Sequence, residues 1–168
     1  MKAKTALSGI ILLLLIGLGV LSQAPATGHT RVELTQADTG KTILSIVLRD
    51  GEQAELTWRN SLFGLDVTEV FLAEAGMLIL DQVTFADPRG LPSPTVSPAD
   101  VDDLYHTGGP FTARGLGKPF RRVMHRVSEI GNPKLKIRDR VVAFKQAVGF
   151  GGAVILTASA IRLHEAIP

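Results

Sequence analysis

The residues whose types and spacing could support chemistry are Asn60, Ser61 and Glu69, together with Arg59. Asn60 and Ser61 end one run that is typical of a strand, and Glu69 lies within the next, Val67–Ala73. A glutamate inside such a strand is expected to be partly buried, and a buried carboxylate needs a hydrogen-bond partner. Arg59, Asn60 and Ser61 can supply one across the intervening loop. The pattern therefore predicts a polar clasp that ties the loop to the sheet or, alternatively, a small ligand-binding site.

An enzymatic use of Ser61 would need a histidine as general base and an acid to orient it. None of the four histidines (His29, His106, His125 and His164) lies in a known catalytic motif. The sequence also lacks the nucleophile elbow, the zinc-protease motif and the phosphate-binding loop. We therefore predict no catalytic residue. A serine-type hydrolase is the alternative, and it requires His106 or His125 to lie within hydrogen-bond reach of Ser61.

Metal and cofactor sites are not predicted. The chain has no cysteine, and no two histidines have the spacing of zinc ligands. Asp100, Asp102 and Asp103, with Asp87, could offer oxygens to a hard cation, but they do not follow the calcium-loop pattern. A solvated acidic turn is the preferred interpretation.

Short β-type runs separated by turn residues make up the chain from Arg31 onward. Asp50-Gly51 predicts a tight hairpin between two of these runs, and Ala75-Gly76 predicts a second. We predict an all-β fold, an antiparallel β-sandwich or open barrel of about 8–9 short strands, preceded by one N-terminal hydrophobic helix. The predicted strands are Arg31–Gln36, Thr42–Leu48, Gln53–Trp58, Val67–Ala73, Met77–Phe85, Phe120–Ser128, Lys134–Ile137, Val141–Phe144 and Ala153–Ser159.

Prolines and glycines interrupt this pattern between residues 87 and 117, which predicts a long loop. Within the loop, Ser97 and Pro98 are typical of a helix start, so a helical turn is expected over Pro98–Leu104. Near the end of the chain, Val141–Leu163 could be a second membrane span, but its uninterrupted apolar part is only Ala153–Ala160. We predict a buried terminal strand there instead.

The charges are unevenly distributed, although the formal net charge of the chain is only +2. Residues 31–103 contain 13 acidic and 5 basic side chains, whereas residues 114–145 contain 10 basic and 2 acidic ones. One interpretation is that acidic and basic strands lie side by side and neutralise each other. The other is a basic patch for an anionic lipid, substrate or partner. The members of that patch would be Arg114, Lys118, Arg121, Arg122 and Arg126. No nucleic-acid partner is predicted, because the total charge is close to neutral.

The N-terminal segment has the layout of an export signal. Lys2 and Lys4 precede the uncharged stretch Thr5–Ser22, and Ala24–Ala26 has the small-residue spacing of a cleavage site. The same stretch is about as long as the shortest bilayer spans, which need ~17–25 residues. We predict that residues 1–26 are a signal peptide or membrane anchor. Residues 27–168 are then a single β-sandwich-like domain on the periplasmic, extracytoplasmic side of the cell envelope.

Glycines, apolar strands and the Ser–Glu pair follow one another in an order that resembles domain of unknown function 1850. The resemblance is strongest from Gly40 to Pro92. The matching residues are Gly40, Leu44–Leu48, Gly51, Leu56–Trp58, Ser61, Val67, Glu69, Phe71, Gly76, Leu78, Leu80, Gly90, Leu91 and Pro92. One departure is Asn60, which stands where the family usually has a histidine before the serine. This chain therefore cannot use that histidine as a base or ligand, whereas Asn60 can still take part in a hydrogen-bonding clasp.

The resemblance implies a small bacterial extracytoplasmic domain whose genes often lie beside permeases of TRAP-type transporters with TAXI-type receptors. The activity of that family is unknown, so the resemblance implies a location and neighbours rather than a reaction. The predicted function is an exported or membrane-anchored accessory or binding domain. Its predicted partners are a transporter permease or a solute-binding protein, and the membrane through residues 5–22. The alternatives are a serine-type hydrolase of the cell envelope and a purely structural envelope domain.

Overall fold

A computed structural model describes residues 28–161 of the chain. The predicted signal peptide or anchor lies outside these residues. The described part contains ten strands, a 3-10 turn at Pro98–Asp100 and two short helices, α1 (Val101–Thr107) and α2 (Phe144–Val148). The strands are β1 (His29–Gln36), β2 (Thr42–Arg49), β3 (Gln53–Arg59), β4 (Asp66–Glu74), β5 (Met77–Ala86), β6 (Phe111–Phe120), β7 (Arg122–Arg126), β8 (Lys134–Ile137), β9 (Arg140–Ala143) and β10 (Ala153–Ala160).

These strands form two antiparallel sheets, so the fold of the described part is all-β and sandwich-like. One sheet has four strands in the order β2-β1-β10-β7, and the other has six in the order β6-β5-β4-β3-β8-β9. The strand count exceeds the predicted 8–9 because β6 lies mostly within the predicted loop.

Alternating apolar residues form the inner face of each sheet, as the two-residue period of a strand requires. In β1, Val32 and Leu34 are fully buried. They belong to the main hydrophobic core, which also contains Leu156 of β10 and Phe71 of β4. This core joins the two sheets.

A second hydrophobic cluster joins α1 to β4, β5 and β6, and no strand of the four-stranded sheet contributes to it. Phe85 stacks on Phe111 at a ring-centroid distance of 4.8 Å and meets Tyr105 of α1 edge-on at 5.0 Å. Trp58 packs against both this cluster and the main core. The helix therefore covers the part of the inner face that lies beyond the four-stranded sheet.

Asp50-Gly51 is not the turn of a hairpin, so that prediction was wrong. The turn itself is tight, because the Glu52 N–H donates to the Arg49 carbonyl at 3.0 Å. However, β2 pairs with β1, whereas β3 pairs with β4 and β8. The turn therefore carries the chain from one sheet to the other. The second prediction, a β4–β5 hairpin at Ala75-Gly76, is confirmed by the pairing of Glu74 with Met77.

The loop predicted for residues 87–117 is correct only in its first part. The expected helical turn is present, and Ser97 caps it by accepting a hydrogen bond from the Ala99 N–H at 3.3 Å. From Phe111 onward the chain is instead strand β6, which pairs with β5 at the edge of the six-stranded sheet.

Gly115 and Gly117 explain how a glycine-rich segment forms β6. Both have positive φ, 69° and 61°, and they lie in a register shift between Arg114 and Lys118. Such bulges are common in edge strands. Pro119 is also tolerated there, because an edge strand leaves some backbone N–H groups unpaired.

The C-terminal segment that could have been a membrane span contains β9, α2 and β10 within the described residues. The buried terminal strand was predicted and is confirmed by β10, whereas α2 was not predicted. Within residues 28–161, no helix has both the length and the apolar character needed to cross a bilayer.

A buried hydrogen bond fastens the β4–β5 turn to β1. The Gly76 N–H donates to Oγ1 of Thr30 at 3.0 Å, and the Thr30 side chain is fully buried. Replacing Thr30 with valine keeps its shape but leaves that N–H without a partner, which costs about 1–3 kcal/mol. We expect Thr30→Val to lower the free energy of unfolding by this amount in urea denaturation. The control Thr42→Val, at an exposed position of β2, should change it little; equal effects of the two variants would contradict the prediction.

Candidate functional site

Asn60 holds the loop between β3 and β4 in shape. Its Oδ1 accepts hydrogen bonds from the backbone N–H groups of Leu62 at 2.9 Å and Phe63 at 3.0 Å. Asparagine favours such turns because its short side chain reaches the backbone two residues further on. Ser61 is exposed, and within residues 28–161 its hydroxyl makes no hydrogen bond. The loop therefore presents this hydroxyl to solvent.

Glu69 lies apart from this loop, so the expected clasp is not formed. The Asn60 N–H donates to the Leu65 carbonyl, while Glu69 pairs with Leu56. The four residue-to-residue steps from Leu65 to Glu69 correspond to about 13 Å along the strand at ~3.3 Å per residue. The carboxylate faces the inner side of the six-stranded sheet, beside the buried side chains of Leu56 and Val83.

The environment of Glu69 is largely apolar and aromatic. Burial raises the pKa of Glu69 to about 7, and the neighbouring indole N–H of Trp58 opposes this rise. That N–H is itself buried and makes no hydrogen bond of good geometry. Burial, together with the nearby charges of Glu69 and Asp102, raises the pKa of Tyr105 to about 12. Glu69 is therefore an ionisable group of the interior whose charge changes near neutral pH.

Arg59, the fourth predicted site residue, ends β3 and pairs with Asp66 at the start of β4. Its Nη1 lies 3.0 Å from Oδ1 of Asp66. Both side chains are substantially exposed, so this ion pair contributes little to stability.

A cavity of about 360 Å³, lined by both polar and apolar groups, lies between this loop and the end of β7, and we call it the β3–β7 cavity. It brings together three of the four predicted residues and includes no carboxylate side chain. Its lining residues are Trp58, Arg59, Asn60, Ser61, Leu62, His125, Arg126, Ser128, Gly131 and Pro133. The backbone closes one side, because the Arg59 N–H donates to the Gly131 carbonyl at 2.8 Å.

His125 is the most unusual member of this lining. It pairs with the buried Val154 in the ladder between β7 and β10, and its ring lies 6.0 Å from that of Phe144. Its Nε2 is buried and has no hydrogen-bond partner. Burial also lowers the pKa of His125, so the ring is neutral at pH 7. This nitrogen is therefore both unpartnered and shielded from solvent on the inner face of β7.

A larger groove of about 570 Å³ lies on the other side of Arg59. Its charged groups already satisfy each other, because Nη2 of Arg89 lies 2.7 Å from Oδ2 of Asp87. The hydrogen bonds from Arg89 lower the pKa of Asp87 to about 2. Within residues 28–161, two buried polar atoms lack a hydrogen-bond partner: Nε1 of Trp58, which lies beside Glu69, and Nε2 of His125. Both residues contribute to the lining of the β3–β7 cavity.

The components of a serine hydrolase are only partly assembled. Ser61 and His125 line one cavity, but within residues 28–161 no hydrogen bond joins Ser61 to a histidine. His106 is exposed on α1. No acidic side chain of the cavity lining is available to orient His125. The arrangement lacks the connected nucleophile, base and acid that this chemistry uses.

The acidic residues near α1 do not form a cation site. Asp102 pairs with Lys118 at 3.3 Å, and Asp87 pairs with Arg89. Asp100 and Asp103 are exposed. Across the described range 28–161, no group of three or more potential ligand side chains is arranged to hold a metal ion.

The predicted basic patch lies on β6, on β7 and at the corner where the chain passes from one sheet to the other. All five side chains, those of Arg114, Lys118, Arg121, Arg122 and Arg126, are exposed. Their ladder partners carry no opposite charge: Arg122 faces Thr157, and Arg126 faces Ala153. Of the five, only Lys118 forms a salt bridge within the described residues.

Mutual neutralisation of acidic and basic strands occurs towards the end of the six-stranded sheet opposite β6, between β3 and β8. Glu55 of β3 faces Lys136 of β8, and Arg138 lies 2.7 Å from Glu52. Hydrogen bonds from the Arg138 side chain and from the Arg49 backbone N–H lower the pKa of Glu52 to about 2. The neutralisation hypothesis therefore describes β3 and β8, whereas β7 keeps its positive charges exposed.

Sequence reasoning missed Ser128, Gly131 and Pro133 as part of the site. Gly131 has a specific reason to be glycine, since a Cβ there would lie 2.6 Å from Oγ of Ser128. The same Oγ accepts a hydrogen bond from the Gly131 N–H at 2.9 Å. No local signal relates these residues to Asn60, because the chain brings them together only through the pairing of β3 with β8.

The fold and site thus define an all-β domain with one donor-rich cavity at the meeting point of its two sheets. Searches against models of known protein families, against curated proteins and against solved structures find no match to this chain. The resemblance to domain of unknown function 1850 therefore stays a prediction.

Proposed function

We propose that this chain is an extracytoplasmic, non-enzymatic binding domain that assists a TRAP-type solute transporter, with the β3–β7 cavity as its ligand site. The observation that supports a binding role is the convergence of residues 58–62 with residues 125–133 on one cavity that has both polar and apolar lining groups. A cavity of this volume lies in the range of small-molecule sites, about 300–1,000 Å³.

One feature of the cavity favours binding over a purely structural role. The Ser61 hydroxyl is exposed at the cavity and makes no hydrogen bond within residues 28–161. A cluster that only stabilised the fold would direct its polar groups to one another. Asn60 does have such a structural role, because its Oδ1 fixes the loop.

The location and the partner rest on the sequence. The apolar segment over residues 5–22 favours export, with or without cleavage, and the resemblance to domain of unknown function 1850 favours a neighbouring transporter permease or solute-binding protein. The exposed arginines of β6 and β7 suit contact with an acidic partner or an anionic membrane surface.

Solute uptake in the native host tests this proposal. We expect deletion of the gene to reduce uptake by the neighbouring TRAP-type transporter, and the wild-type gene to restore it. A Ser61→Trp variant should fail to restore uptake because the indole fills the mouth of the cavity. The matched control Ser159→Trp, at an exposed position of β10 outside the cavity, should restore it. Unchanged uptake after deletion would contradict the transporter role.

A serine-type hydrolase is the second candidate, because Ser61 and His125 share the cavity. Labelling of the full chain with a fluorophosphonate, which reacts with activated serines, distinguishes the two. Labelling that is lost in Ser61→Ala and in His125→Phe would favour the hydrolase, and the absence of labelling favours the binding domain.

A further inference from the structure

The four-stranded sheet is positively charged on the face that points away from the core, which we call its outer face. Strands β1, β2, β7 and β10 together contain four basic side chains and one acidic one. All five lie on the outer face, because they alternate along each strand with the side chains that point towards the core. The basic residues are Arg31, Arg49, Arg122 and Arg126, and the acidic residue is Glu33. At pH 7 the outer face therefore carries a formal net charge of +3.

Neighbouring groups do not compensate this charge. Within the described residues, none of the four arginines forms a salt bridge. Glu33 accepts a hydrogen bond from Oγ of Ser45 at 3.2 Å. Glu52, which lies beside Arg49, is paired with Arg138. A second copy of the chain is an unfavourable partner for this face, since like charges would meet, whereas an anionic surface is favourable.

Apolar side chains lie among the arginines. Met124 of β7 is 57% exposed and pairs with Ile155 of β10. Arg122 and Arg126 lie on either side of Met124, on the same face of the strand. Val47 of β2 is 39% exposed as well. Binding to an anionic membrane gains from both kinds of group, since cations attract the head groups and apolar side chains enter the boundary with the acyl chains.

The chain enters the domain through this same sheet. β1 begins at His29, and the predicted membrane-inserted stretch, Thr5–Ser22, ends six residues before Gly28. Six residues reach at most about 20 Å. A domain held by such an anchor therefore keeps the start of β1 within this distance of the lipid, and the outer face of the sheet is within reach of the head groups.

We propose that the outer face of the four-stranded sheet binds the surface of a membrane that contains anionic lipid. The arginines contact lipid phosphates, and Met124 and Val47 lie at the level of the head groups. This inference rests on the proposed location of the domain beside a membrane, but it depends neither on the transporter nor on the β3–β7 cavity.

A single fluorescent label measures this contact, because the chain has no cysteine. Met124→Cys is labelled with the fluorophore NBD, whose emission increases in an apolar environment, and the full chain is incorporated into nanodiscs. We expect higher emission in nanodiscs that contain phosphatidylglycerol than in nanodiscs of phosphatidylcholine alone. Val141→Cys is the matched control, since Val141 is 59% exposed but lies on β9 of the other sheet. Its label should give the same emission in both lipids.

Charge variants in the labelled protein test the role of the arginines. Arg122→Gln and Arg126→Gln should each lower the ratio of protein in contact to protein not in contact about fivefold. Arg140→Gln, which removes an exposed arginine of β9, should leave this ratio unchanged. High salt should reverse the contact, because it screens surface charges. Thermal unfolding of each variant verifies that it is folded.

Three results would overturn the inference: equal emission of the Met124→Cys label with and without phosphatidylglycerol, an equal response at Val141→Cys, or equal effects of Arg122→Gln and Arg140→Gln. A response of the Met124→Cys label to soluble polyglutamate but not to anionic nanodiscs would also overturn it, in favour of an acidic protein partner.

The proposed function fails separately. Contact with anionic nanodiscs, combined with unchanged uptake after gene deletion, would contradict the transporter role alone. Loss of uptake after deletion, without any contact in nanodiscs, would contradict the membrane-binding face alone.

Discussion

Replacing Glu69 with glutamine is expected to stabilise the protein at pH 8 by at most roughly 3 kcal/mol, and by much less at pH 5. Burial raises the pKa of this carboxyl from 4.5 to about 7 in the folded state. The folded protein therefore binds the proton more tightly than the unfolded chain does. The contribution of Glu69 to stability is greatest below pH 4.5, decreases as the pH rises towards 7, and is constant above that. Glutamine carries no charge, so the variant does not lose stability as the pH rises through this range.

Comparison of the two proteins at each pH isolates Glu69 from other titrating groups. Burial lowers the pKa of His125, so this residue makes stability fall as the pH drops below its unfolded value of 6.5. Glu52 and Asp87, whose pKa values are lowered to about 2, act at still lower pH. All three groups are present in both proteins and cancel in the difference.

Urea denaturation between pH 5 and pH 8 measures this difference. We expect the advantage of Glu69→Gln to grow by roughly 2 kcal/mol over the interval. Glu74→Gln is the matched control, because Glu74 lies on the same strand but is exposed at its end. Parallel pH profiles for the wild type and Glu69→Gln would show that Glu69 keeps its hydration in the folded state, and would contradict the prediction.

The sequence predicted those features that depend on neighbouring residues. The Ser97 cap and the Ala75-Gly76 turn need only local hydrogen bonds and allowed backbone angles, and both are present. Asp50-Gly51 has equally good turn chemistry, but a turn does not determine which strands pair. β6 was missed because Gly115 and Gly117 are typical of loops, whereas at this sheet edge they form a bulge.

The site was predicted in part for the same reason. Asn60 and Ser61 are adjacent, so their shared position in the loop follows from the sequence. Glu69 was assigned to the same cluster because a partly buried carboxylate needs a partner. It is partly buried, but the strand register places it on the inner face, opposite Leu56 and away from the loop. His125 and Arg126 reach the cavity only through the corner between β6 and β7, a long-range feature that no spacing reveals.

Gly76→Ala is expected to destabilise the protein by roughly 4 kcal/mol, through overpacking, backbone strain and a lost hydrogen bond. Gly76 lies in the β4–β5 turn with φ of 79°, which alanine adopts only with strain. A Cβ there would lie 2.8 Å from Cα of Ala160 and closer still to its backbone nitrogen. Because these are backbone atoms of β10, no side-chain rotation relieves the overlap. The turn must move away from β1 and β10, which breaks the buried hydrogen bond from Gly76 to Thr30.

Gly51→Ala is the control that separates backbone strain from close packing. Gly51 has a similar φ of 87°, but a Cβ there would meet no atom within 4 Å, so only the strain of about 1 kcal/mol is expected. Urea denaturation of both variants gives the difference.

Ala160→Gly should not rescue Gly76→Ala, because the nearest atoms of Ala160 belong to its backbone. Thr30→Val should add little in the Gly76→Ala background, since the hydrogen bond that it removes is already lost. Equal stability of Gly76→Ala and Gly51→Ala would mean that the β4–β5 turn does not press on β10, and that the two sheets are held at this end by the hydrophobic core alone.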